Sequence, residues 1–136
     1  MNSVVEDIKD ILEAENALGL VLGTNLFLYR EPAMPNEIVT LFETPGMQPI
    51  GLLSSDTDTK HYERPSMQIR VRYKTAETAL AMAYAVEKVL NVVANETWGD
   101  YYYALIYSMT NPFMTDWDEE NRIRIILNFN IQRRLT

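Results

Sequence analysis

The segment NRIRIILNFNIQRR, residues 121–134, constrains this chain more than any other. Ile123, Ile125, Leu127, Phe129 and Ile131 alternate with Arg122, Arg124, Asn128, Asn130 and Gln132. Successive side chains of a strand point to opposite faces, so this spacing predicts a long strand with one face buried and the other polar. A second alternation runs through YERPSMQIRVRY, residues 62–73, where Met67, Ile69, Val71 and Tyr73 oppose Gln68, Arg70 and Arg72, with Lys74 extending the polar row. In one antiparallel sheet, Arg70, Arg72 and Lys74 would neighbour Arg122 and Arg124. Like charges placed directly opposite are unfavourable, so these cations require acids.

Two helices are predicted around these strands. Ser3 with Glu6 three residues on is a capping-box pattern, and Val4, Val5, Ile8, Ile11, Leu12 and Leu18 follow at helical spacing up to Gly19. This predicts a first helix over about 3–18, with Glu6, Asp7, Asp10, Glu13 and Glu15 on an acidic outer face against the single Lys9. Thr75 opens a second helix in which Ala79, Ala83, Val86, Leu90 and Val93 form one stripe. Its alanines let it lie close to a sheet.

Further strands are predicted at 24–31, 37–43 and 101–109. The first two are separated by Pro-Ala-Met-Pro and read as a hairpin. In the third, Tyr101, Tyr103, Leu105 and Tyr107 share one side. The final Arg-Arg-Leu-Thr reads as a frayed tail. The fold class is therefore α+β, a mostly antiparallel sheet with two main helices on one face, in a single domain over 1–136. A connection of about twenty residues, 44–64, lacks any period but carries Met47, Ile50, Leu52 and Leu53. Apolar residues in so long a loop point to ordering against a partner or packing on the domain itself.

Charge and residue types exclude several kinds of chemistry. Twelve Lys and Arg against nineteen Asp and Glu give a net charge of −7, which disfavours nonspecific nucleic-acid binding. The chain has no Cys and one His, so thiolate chemistry is excluded and a His-centred triad or His-rich metal site is poorly supplied; His61 reads as a surface residue. A calcium loop begun at Asp116 would need Gly and Glu where Asn121 and Leu127 stand. There is no phosphate-cradling GxGxxG or GxxxxGK motif. No cofactor or metal is expected. The acidic N-terminus lacks the pattern of a secretory signal and no segment is apolar enough to span a membrane, so a cytosolic site of synthesis and no membrane partner are expected.

The residues Glu43, Thr44, Pro45 and Gly46, then Tyr62, Glu63, Arg64 and Pro65, then Gln68 to Arg72, together with the closing DEENRIRIILNFNIQ, resemble the minor capsid or tail terminator proteins of long-tailed bacteriophages. The resemblance covers about residues 20–131. It implies a virion structural protein, not an enzyme, that forms a ring, expected to be six-fold, at the head-proximal end of the tail. There it would end the tail tube and join the tail to the head connector, assembling in the host cytoplasm, with DNA passing through without specific binding. Its partners would be copies of itself, the tail tube protein and head connector proteins. The interface residues expected on these grounds and on charge segregation are Arg70, Arg72, Lys74, Met47, Ile50, Leu52, Glu63, Arg64, Asp116 and Asp118. Two readings from other classes stay open: a carboxylate-metal enzyme built on Asp56, Asp58 and Glu63, and a monomeric host-directed phage protein.

Overall fold

The computed structural model describes residues 3–50 and 62–136, and side chains only to Met47 in the first part. Helix α1 spans Val4–Ala14, and a 3-10 turn follows at Asn16–Leu18. The strands are β1 Leu26–Leu28, β2 Ile38–Ile50, β3 Tyr62–Tyr73, β4 Ala94–Trp98, β5 Tyr101–Ser108, β6 Phe113–Trp117 and β7 Ile123–Leu135, with helix α2 at Ala76–Asn91 between β3 and β4. They form one sheet in the order β1-β2-β3-β7-β5-β4, while β6 pairs with the start of β7. All pairings are antiparallel except that of β1 with β2.

Local chemistry accounts for the helices. The Ser3 hydroxyl accepts from the Glu6 backbone N–H at 3.3 Å while the Glu6 carboxylate accepts from the Ser3 N–H at 3.1 Å, closing both ends of the capping box. Helix α1 stops at Ala14, earlier than the spacing predicts; the chain continues as the 3-10 turn to Gly19, whose φ of 64° is left-handed and suits glycine. Thr75 caps α2, whose Ala79, Ala83, Val86 and Leu90 are fully buried. The apolar rows of β3 and β7 meet these helices: Met67, Ile69, Val71, Ile123, Ile125, Leu127 and Phe129 have no exposed surface. Each such side chain contributes about 1.5–3 kcal/mol by leaving water.

Six expectations are corrected. Strands β1 and β2 are parallel, with Phe27 beside Thr40, and do not form a hairpin. Between them residues 31–36 are clasped by a guanidinium: Arg72 donates to the carbonyls of Pro32 and Pro35 at 2.7 Å each and of Ala33 at 3.3 Å. The connection expected over 44–64 is shorter, because β2 runs on to Ile50 and β3 begins at Tyr62, with Met47 opposite Arg64 and Ile50 opposite Tyr62. A bulge between Thr44 and Met47 absorbs Pro45 and Gly46, which masks the strand period in the sequence. Asp7 is fully buried rather than on an outer face. The stretch between α2 and Gly99, irregular by its sequence, is β4, a hairpin with β5. In β5 a second bulge leaves Ala104 unpaired, so Ile106 enters the core in place of Leu105 and Tyr107. The last residues are strand, and Arg133 is buried.

Candidate assembly surface

Both helices lie on the face that carries the odd-numbered residues of β3 and β7. The even-numbered row forms the other face: Tyr62, Ser66, Gln68, Arg70 and Arg72 on β3 beside Arg134, Asn130, Asn128, Ile126 and Arg124 on β7. Cross-strand polar bonds hold its middle, from Ser66 Oγ to Asn130 Oδ1 at 2.6 Å and from Gln68 Nε2 to Asn128 Oδ1 at 3.3 Å. This polar ladder runs between two chemically distinct ends.

At one end the arginines gather. Arg72 and Arg124 are register partners, the like-charge opposition that the alternations predict. Glu31 Oε1 resolves it by accepting from Arg72 Nη1 at 3.2 Å and from Arg124 Nε at 3.0 Å. Arg70 lies 4.0 Å from Glu31 Oε2 and stacks over the Phe42 ring at 4.7 Å. Asp116 on β6 pairs with Arg124 at 3.2 Å, and Asp118 with Arg122 at 2.7 Å. The Arg122 guanidinium also donates to the Ala33 carbonyl. Glu31, Arg72, Arg122, Arg124, Asp116 and Asp118, with Ala33, Trp117, Glu119 and Glu120, line an open cavity of about 530 Å³. Burial and the nearby Arg122 charge pull the Arg72 pKa below its ordinary value against the effect of Glu31. Burial works against ionised Asp118, yet the N–H groups of Arg122 and Glu120 and the Arg122 guanidinium hold its carboxyl below the usual range. Glu31, Asp116 and Asp118 each pair with an arginine.

At the other end Arg134 stands over Tyr102, its guanidinium carbon 4.8 Å from that ring centroid and 6.0 Å from that of Tyr62. Sequence reasoning passed over Arg134 as part of a frayed tail and Glu31 as the end of a strand. An interaction partner far away in the chain leaves no local periodic signal.

The expected interface residues divide between these ends. Arg70, Arg72, Asp116 and Asp118 come together at the first, with Lys74 exposed just beyond. Arg72 is 2% exposed and satisfied within its own chain, and Asp118 is paired there too, so neither presents a free charge to a neighbour. Met47, Glu63 and Arg64 lie at the second end, where Met47 Sδ accepts from Arg64 at 3.8 Å and Glu63 accepts from Arg133 at 3.1 Å. Ile50 is known here by its backbone pairing alone, and Leu52, Leu53, Asp56, Asp58 and His61 lie outside the described residues. Among the described residues no three His, Asp or Glu side chains form a group able to hold a metal, and no helix is long and apolar enough to cross a membrane.

The model of a family described as bacteriophage tail terminator protein matches residues 12–135. No curated protein matches the chain in sequence. Among solved structures, a chain of the virion of a native gene transfer agent particle is similar at a TM-score of 0.68 and 20% identity, over 97% of this chain and 95% of that one. That likeness shows a shared fold.

Proposed function

Since the chain belongs to the bacteriophage tail terminator protein family, a family of virion tail structural proteins, we propose that it ends the tail tube as a self-associated ring. In this reading the ring sits at the head-proximal end of the tail and joins it to the head connector. The family match over 12–135 is the observation that carries it. The polar sheet face and the arginine-paired Glu31, Asp116 and Asp118 are consistent with work done through protein contacts. A net charge of −7 also suits a passage for DNA, because like charge keeps the phosphates from adhering to the wall.

Adding the purified chain to tail tube protein from the same phage as it polymerises tests the proposal. Tubes should stop lengthening and carry the chain at one end by negative-stain electron microscopy. Tubes that grow on unchanged, with no chain at their ends, overturn it.

A further inference from the structure

We infer that copies of this chain join head to tail, with Arg134 of one copy receiving the acidic 116–120 segment of the next. The inference rests on the ring reading and names its contact.

Arg134 differs from five other arginines of this sheet. Arg70, Arg72, Arg122, Arg124 and Arg133 each have a carboxylate within 4.0 Å. Among the described residues Arg134 has none; it donates to the Leu135 carbonyl at 3.5 Å and rests on the rings of Tyr102 and Tyr62. Stacking holds the guanidinium plane while its edge remains available for a bidentate carboxylate. Arginine flanked by tyrosines is also the composition that dominates binding energy at protein interfaces.

The complementary surface lies at the far end of the same sheet. Every residue of β6 is exposed, including Phe113, Met114 and Trp117, the last two more than half exposed. Beside them Asp116, Glu119 and Glu120 are exposed, and the carboxylates of Glu119 and Glu120 have no cation among the described residues. An outer strand with this much apolar surface is a liability unless another chain covers it. Arg124, which pairs with Asp116, is ten positions from Arg134 along β7, about 33 Å at the rise of a strand. The two surfaces therefore cannot meet within one copy. They can meet between copies, and a contact between unlike surfaces closes into a ring when its rotation does. The occupant is a second copy rather than a nucleic acid, because a chain of net charge −7 repels phosphates as a whole, while its own 116–120 segment offers acids beside the exposed Trp117.

The test is native mass spectrometry over a concentration series on the wild-type chain, Arg134→Glu, and the double variant Glu119→Arg with Glu120→Arg, each checked for an unchanged circular dichroism melt. Either reversal should raise the concentration needed for assembly at least about tenfold. An equimolar mixture of the two reversed chains, which restores opposite charges at every contact of an even ring, should assemble again. Reversed chains that assemble like the wild type, or a mixture that does not recover, overturn the contact while leaving the ring standing. A wild-type chain that stays monomeric at every concentration overturns the ring and the contact together.

Discussion

Arg133 on the last strand and Asp7 in the first helix form a buried ion pair across 126 residues of sequence, with Nη1 3.4 Å from Oδ2. Tyr103 completes it, donating to Asp7 at 2.6 Å and accepting from Arg133 at 3.2 Å. Burial, with the bond to Asp7 next, pushes the Tyr103 phenol well above its ordinary pKa, so it stays a donor. Arg133 also stacks on Tyr101, 3.7 Å from the ring centroid. Replacing Asp7 by Asn removes the buried carboxylate and leaves Arg133 paired with the more exposed Glu63, so the loss should stay below the about 3–5 kcal/mol of a fully broken buried pair, read as a lower urea midpoint. Tyr103→Phe removes a hydrogen bond to a charged group and should cost about 1.5–3 kcal/mol. A midpoint unchanged in both variants would show that the pair contributes no net stability.

Glu31 bridges two opposed arginines, so its charge matters more than its size. Glu31→Gln keeps the shape and removes the charge, leaving Arg72 and Arg124 facing each other. A loss of about 2 kcal/mol is expected. Hydrogen exchange should rise first in residues 31–36, whose carbonyls Arg72 holds. Uniform exchange across the sheet would contradict this.

Gly46 lies against the β3 backbone at Arg64 and Pro65. A Cβ there would run into the Arg64 carbonyl oxygen and lie 2.8 Å from Pro65 Cα, both rigid backbone. Gly46→Ala should therefore destabilise the chain by about 1–3 kcal/mol. Ala substituted at Gly23, where the space is open but φ is 86°, makes a useful comparison, since its cost comes from backbone conformation alone. Equal protection of Met47 and Arg64 amides in wild type and Gly46→Ala would argue against the clash.

Acid should loosen the arginine end through Asp118. Its folded pKa is depressed, so its contribution to stability is present above the unfolded value, about 3.9, and is lost as pH falls through the lower folded value. Asp118→Asn removes this contribution at neutral pH and should flatten the fall in stability between about pH 5 and pH 3. Parallel acid limbs for the two chains in pH-dependent melts would assign the fall to other carboxylates.

Much of this architecture is written locally. The strict alternation of β7 and β3, the capping box at Ser3 and the alanine stripe of α2 each act through neighbours a few residues apart, so period and caps identify the elements and the α+β class. The opposition of Arg72 and Arg124 follows from the same periods once the two strands pair. Where a bulge breaks the period, as at Pro45–Gly46 and Ala104, the pattern misleads: it hides the end of β2 and misplaces Ile106.

Local patterning thus sets which faces are apolar and which cations crowd together. The packing of distant elements selects which acids answer them. Glu31 comes from a loop 41 residues before Arg72, and Asp7 from a helix at the other end of the chain from Arg133. Such pairs are selected by the three-dimensional packing of elements and by the cost of leaving a charge unpaired in low dielectric, neither of which has a period. The same packing consumes Arg72 and Asp118 inside the molecule and leaves Arg134, stacked on two tyrosines, at its surface.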